Sequence, residues 1–228
     1  MPRPASASWR IGGPILYKMR FDIITIFPNI FSGFMSESLL SKAQAKKLIS
    51  IKTHYLRDWT TDRHQTVDGK PYGGGPGLVM KVEPIYKAVS QLKAKSLKLK
   101  ARVILFSPRG KQMDQAQVRR WAKLDQLVFI CGRYEGVDER VADYIADEVV
   151  SVGPYVLNGG EIAAMAAIEA VARLIPGFMH DADSASKDDH ASYTKPEVFL
   201  LGKKKLRVPK VLLSGNHAEI DKWRKARK

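Results

Sequence analysis

Apolar residues along this chain fall into two alternating patterns. Short runs dense in Ile and Val occur at 20–27, 49–56, 101–107, 126–131 and 147–152, with the length and β-branched character of strands buried on both faces. Between them the apolar spacing turns helical: from Pro28, well suited to a first helical position, to about Leu40, then over 114–124 and 136–146. A segment at 159–175 is apolar nearly all round and predicts a buried helix. Strands alternating with helices predict an α/β domain around an open parallel sheet. The pattern stops at Pro176-Gly177, and HDADSASKDDHAS at 180–192 is small, polar and acidic, the composition of a linker. Farther on, Asn216 stands three residues before Glu219, a capping box that predicts a basic helix running to the C-terminus. The expected organisation is a disordered extension over 1–18, a main domain over 19–177, a linker over 178–192 and a short basic helical domain over 193–228.

Composition narrows the class. An apolar content of 45% builds an ordinary core, and no apolar run approaches the ~18 residues of a membrane span. The first 18 residues lack the apolar stretch of a secretory signal, and Met19 looks like an alternative start. The lone Cys131 excludes a disulfide framework and a multi-cysteine zinc site, which suits a reducing cytoplasm. Thirty-eight Lys and Arg against 23 Asp and Glu give a net charge of +15, and from Tyr193 onward 11 basic residues face only 3 acidic ones. Clustered cations gain affinity by displacing counterions from phosphates, so a polyanion partner is expected, with a solvated basic face as the alternative.

The candidate chemistry lies in loops. No phosphate-binding lysine loop is present, YGGGPG at 72–77 does not match the dinucleotide fingerprint, and the five His residues lack metal-ligand spacing. Three segments remain, FSPRG (106–110), CGRYEG (131–136) and VGPYVLNGG (152–160), each placed after the C-terminal end of a proposed strand. In open parallel sheets ligands sit there, and glycine admits close approach of backbone to ligand.

PYGGGPGLVM, CGRYEGVDERV, VGPYVLNGGE, ARLIPG, YTKPEV and VLLSGNHAEIDKWR, in this order within the stretch from about Met19 to Arg224, closely resemble the TrmD family of bacterial tRNA (guanine-N1)-methyltransferases in the SPOUT superfamily. The resemblance implies a SPOUT-type sheet with a deep C-terminal trefoil knot, a homodimer with shared active sites, an S-adenosylmethionine site, and methylation of the tRNA guanosine at position 37. The implied cofactor residues are Leu105, Phe106, Ser107 and Pro108 in the first loop, and Gly132, Tyr134, Glu135 and Gly136 in the second. The third loop adds Val152, Gly153, Pro154, Tyr155, Val156, Leu157, Gly159 and Gly160, with Asn158 where the family carries serine. Missing side chains at Gly153, Gly159 and Gly160 are expected to leave the slot open for the adenosyl group.

N1 of guanine carries a proton at neutral pH, so methylation requires a base for that proton and a cation for charge growing on O6. By resemblance Arg173 is the O6 cation and Asp188 the base, with the adjacent Asp189 as competitor because the linker before YTKPEV is shorter than in the family. Glu135 is open to two roles, a hydrogen bond beside the cofactor or a hold on Mg²⁺. Expected tRNA contacts are Arg57, Asp62, His64 and Asp68 in the 57–77 loop, and Lys203, Lys204 and Lys205 near the C-terminus. Family members continue past this chain's last residue into further helices. The leading reading is therefore an active methyltransferase; the rivals are a non-catalytic RNA-binding relic and a SPOUT enzyme acting at another RNA position.

Overall fold

The structure, a computed structural model, describes residues 18–94, 99–179 and 191–227, so the extension and the aspartates at 188 and 189 lie outside the described residues. Two compact units are present, residues 1–182 and 183–228. In the first, five strands form one sheet: β1 (Met19–Thr25), β2 (Ile49–Tyr55), β5 (Ala101–Gln112), β6 (Gln126–Ile130) and β7 (Glu148–Ser151). Their order is β2-β1-β6-β5-β7 and every pairing is parallel. Two short strands, β3 (Asp68–Gly69) and β4 (Val79–Met80), pair antiparallel apart from it.

Side chains alternate across a strand, so a sheet covered on both faces sorts its apolar residues into two cores. Phe21, Ile23 and Phe129 pack on one face against helix α6 (Glu161–Ala172), together with Trp121 of α4 (Gln115–Trp121). Ile24, Val103, Val128 and Ile130 pack on the other face against α3 (Val82–Ala94) and Val141 of α5 (Glu139–Tyr144). Helix α3 is absent from the sequence reading, although Ile85, Ala88, Val89 and Leu92 carry its spacing. Its Pro84 sits in the first turn, where a missing N–H breaks no helical bond.

Three expectations are corrected. The single helix from Pro28 to Leu40 is instead a 3₁₀ turn (Pro28–Phe31), α1 (Ser32–Ser36) and α2 (Ser38–Ala45). Extended Glu37 separates the last two, Ser38 opens α2 at φ +55°, and the Ser36 hydroxyl bonds the Gly33 carbonyl, the local competition that makes serine a weak helix former. FSPRG is not a loop beyond a strand end, because β5 continues to Gln112 and residues 107–110 bulge between two pairings with Val150. Gly110 is required there, since a Cβ would lie 2.4 Å from the Val150 nitrogen. Helix α6 is not buried all round: Ile162 is 57% exposed, and Ala166 and Glu169 share its open side.

The second unit is not purely helical. β8 (Val198–Leu201) and β9 (Lys204–Arg207) form a hairpin around Gly202, whose φ of +60° suits a two-residue turn. Helix α7 (His217–Lys225) follows, and the Asn216 side chain accepts from the Glu219 N–H at 3.4 Å, as the capping signal requires. The charge of the lysine run masks the strand pattern of Val198–Leu201.

A buried polar cluster fixes three strands in register. Asp22 on β1 is fully buried; it accepts from Arg20 Nη2 at 2.9 Å, His54 Nε2 at 2.7 Å and Gln126 Nε2 at 2.7 Å. Burial alone pushes this carboxyl up, but the bonds from His54, Arg20 and Gln126 and the charge of Arg20 outweigh it and hold the pKa below the ordinary 3.8. A lowered folded-state value stabilises fully above the unfolded value and is lost as pH falls through the folded one. Asp22→Asn should therefore cost about 3 kcal/mol in urea unfolding at pH 7, the low end for a broken buried pair because Arg20 and His54 keep some solvent contact. The difference from wild type should shrink below pH 3.8.

Candidate active site

At the β5 bulge and the C-terminal ends of β6 and β7 a cavity of about 590 Å³ opens, a size typical of small-molecule sites. All of the expected cofactor residues line it except Gly153 and Pro154. Leu105, Phe106, Leu157 and the Tyr155 ring give apolar wall, while Ser107, Asn158 and backbone of the two glycine-bearing loops give polar edge.

The frame of the cavity is a network that the sequence reading did not assign. Glu161, in the first turn of α6 and 1% exposed, accepts from the Thr25 hydroxyl at 2.7 Å and from Arg133 Nε at 2.9 Å. The Arg133 guanidinium lies 4.7 Å over the Phe27 ring and reaches the Asn158 carbonyl at 3.4 Å. The Gly160 N–H donates to the Gly132 carbonyl at 3.0 Å. A buried carboxylate thus ties the end of β1, residues 131–136 and residues 152–160 to one helix. Paired and hydrogen-bonded, its charge is tolerated; alone it would be costly. The available signals were an arginine inside one glycine loop and a glutamate directly after the other.

This packing changes the reason for the glycines. A Cβ on Gly159 would stand 2.3 Å from Arg133 Nε, and one on Gly160 2.8 Å from the Cys131 Cα. On Gly153 it would meet the Tyr155 ring at 2.3 Å. The chain itself, rather than a ligand, occupies the space those side chains would fill. Cys131 is fully buried, and burial pushes its thiol far up, so it serves as core.

The other wall is stitched to the 57–81 segment. Glu135 N–H donates to the Leu78 carbonyl, Met80 N–H to Gly136 and Asp138 N–H to Met80, each at 3.0 Å. Tyr134, at φ +59°, lies where the charges of Asp68 and Arg57 act on it; burial and the Asp68 charge raise its pKa. Two expected substrate contacts therefore stand beside the cavity. Arg57 also donates to the Gln65 carbonyl at 2.6 Å. Asp62 is engaged within its loop, accepting the Thr66 hydroxyl at 2.6 Å and the Thr66 N–H at 3.1 Å; the hydroxyl bond lowers its pKa. His64 is exposed.

Charged groups around the mouth are partly paired. Arg109 from the β5 bulge bonds Glu139 of α5, whereas Glu135 and Asp143 line the cavity without an ion-pair partner among the described residues. Among those residues, no three His, Cys, Asp or Glu side chains gather as a metal site. Arg173 is not at this cavity. It is exposed just past the far end of α6, roughly 18 Å along the axis from Glu161 at about 1.5 Å per residue. Lys203 lies in the hairpin turn, and Lys204 and Lys205 on β9 point to opposite faces.

Gly160→Ala should lower stability by about 1–3 kcal/mol, because its methyl group meets Cys131 backbone that has little room to move. An unchanged melting temperature would contradict the close contact. Glu161→Gln should also destabilise, by leaving Arg133 without its charged partner.

The comparisons with known proteins agree in one direction. The family profile described as "tRNA (Guanine-1)-methyltransferase TrmD" matches residues 19–228. A protein of Carboxydothermus hydrogenoformans named "tRNA (guanine-N(1)-)-methyltransferase" is 48% identical over 91% of this chain and 81% of its own length. Proteins of the same name from Geobacter sulfurreducens (46% identical, 91% of this chain, 85% of theirs) and Dictyoglomus turgidum (48%, 91% and 84%) are similar to it as well. With a match over nearly the whole described fold and a cavity framed by two of the resembling motifs, the chain belongs to the TrmD family of tRNA (guanine-N1)-methyltransferases.

Proposed function

We propose that this protein methylates N1 of the guanosine at position 37 of tRNA, using S-adenosylmethionine held in the cavity between the β5 bulge and the ends of β6 and β7. The observation that carries this reading is the cavity itself, framed by the Arg133–Glu161 network and bordered by the Asp68–Arg57 side of a polar loop, in a chain of this family. The residues present fit the cofactor: the cavity exceeds ~300 Å³, its walls are mixed, and unpaired Glu135 and Asp143 suit a ligand with cationic groups. When bound, S-adenosylmethionine supplies a methyl group activated by its positive sulfur. Leu157 and Tyr155 hold the apolar part, and backbone of 131–136 and 152–160 reads the base edge. The trefoil knot belongs to this same reading, with residues 152–160 and α6 as the segment drawn through the fold.

The proton on guanine N1 passes to a carboxylate, for which Asp188 is the choice and Asp189 the alternative; Arg173 stabilises charge on O6. Because Arg173 stands roughly 18 Å from the cavity of its own chain, it serves a neighbouring one. The open side of α6, with Ile162 at 57% and nearby Phe27 at 46% exposure, is an apolar surface suited to a second copy. The active form is thus a homodimer with composite sites. If Mg²⁺ takes part, Glu135 on the cavity wall is the carboxylate to hold it, with water completing its shell. Among the described residues no helix is long and apolar enough to cross a membrane, and action in the cytoplasm is part of the proposal. A non-catalytic relic has no use for an intact cavity, which favours the enzyme.

Incubation with unmodified tRNA and S-adenosylmethionine, followed by mass spectrometry of the nucleosides, should give N1-methylguanosine at position 37. A different methylated position would support the alternative SPOUT activity, and no product would support the relic. Arg173→Ala and Leu157→Trp variants, the second with its own cavity filled and each inactive, should regain activity when mixed under subunit exchange, because one cavity of the heterodimer then keeps both an open slot and an Arg173 from the other chain. No recovery after demonstrated exchange would contradict shared sites.

Affinity for tRNA should fall with salt by about 0.7–0.9 log units per phosphate neutralised. Since the hairpin divides Lys204 from Lys205, replacing all three lysines of the run by Ala should flatten the slope by about one to two units. An unchanged slope would mark the run as a solvated face.

A further inference from the structure

One aromatic side chain beside the cavity has no packing role. Tyr72 is completely exposed, at 101%, whereas tyrosine normally covers its ring and leaves only the hydroxyl in water. It stands at the start of a loop in which Gly73, Gly74, Gly75 and Gly77 have φ of +82°, +79°, +121° and +74°. None of the first three meets any atom where a Cβ would stand, so none of the described residues packs over this stretch. The far end is fixed: a Cβ on Gly77 would stand 2.5 Å from Glu135 Cγ, which places that residue against the cavity wall. Tyr72 comes five residues before that anchor and two after exposed Lys70. Its ring thus stands in solvent at the free end of a loop whose other end packs on the cavity wall.

Resting on the tRNA methyltransferase reading, we propose that Tyr72 is a stacking platform for an unpaired nucleobase next to the target guanine, fixing the register in which the substrate enters. A target base taken out of its stack leaves its neighbour with an open π face, and a rigid aromatic ring covers that face whatever the base. The glycine-rich stretch lets the ring turn to meet it. Tyr72 is a positioning residue: it touches RNA outside the reacting base and takes no part in proton or methyl transfer.

The experiment uses the full-length protein and a tRNA anticodon stem-loop with 2-aminopurine at the position preceding or following the target guanine. Wild-type protein should quench one of these probes on binding. Tyr72→Ala should abolish that quenching and weaken RNA binding on the order of tenfold, the range of one base stack. Tyr72→Trp should restore both. S-adenosylmethionine affinity, the dimer mass in solution and the slope of log affinity against log salt should remain as in wild type, because neither the cavity nor a phosphate contact is altered. Equal quenching and equal affinity in Tyr72→Ala would overturn the proposal, as would loss of the dimer in that variant, which would make the ring a contact between copies. If the wild-type protein neither binds nor methylates the RNA, the functional reading fails; failure confined to the Tyr72 comparison removes the stacking role alone.

Discussion

Glu161 is a charged residue with almost no solvent, and the site exists because its charge is satisfied. Its two oxygens take the Thr25 hydroxyl and Arg133 Nε, and Arg133 in turn caps the Phe27 ring. Each contact comes from a different strand end or loop, so one carboxylate determines how β1, residues 131–136 and residues 152–160 meet the start of α6. The glycines follow from this constraint. Gly159 leaves room for the ion pair, and Gly160 lets the helix close on Cys131 and Gly132. What remains between these segments and the β5 bulge is the cavity.

The second constraint comes from the opposite wall. Backbone bonds at Leu78, Met80 and Gly136 fasten the polar 57–81 segment to the loop that carries Tyr134 and Glu135. The proposed substrate side and the proposed cofactor side therefore share one piece of chain, and a shift in either is felt by the other. Arg173, at the distant end of α6, is excluded from its own cavity by the length of the helix. The same helix presents Ile162 and Ala166 outward, so the feature that separates the cation from the cavity also offers the apolar surface through which a second copy would supply it.

The five central strands were legible because runs such as FDIITIF and LVFI admit few other structures once helices alternate with them. Gln126 and Asp22 within those runs form the register-fixing cluster, a pairing visible only after β1 and β6 are adjacent. The cavity loops were legible as positions, but their physics was not. Gly160 reads in sequence as space for a ligand and in three dimensions as space for Cys131. Arg133 and Glu161 are separated by 28 residues, and nothing local announces that they touch. The bulge at 107–110 was hidden because Pro108 and Gly110 resemble the end of a strand, whereas β5 resumes pairing at Lys111. The C-terminal hairpin was obscured by its lysines, and the family resemblance rather than periodicity carried the choice of Asp188 and Arg173.

The methyl donor is proposed to sit in the cavity framed by Glu161 and Arg133. Hydrogen–deuterium exchange of the full-length protein with and without saturating S-adenosylmethionine tests this placement. Slowed exchange is expected at 105–110, 131–137 and 152–160, with the outer strand β2 little changed. Protection elsewhere in the chain, with these three segments unaffected at a donor concentration shown by calorimetry to saturate the protein, would contradict it.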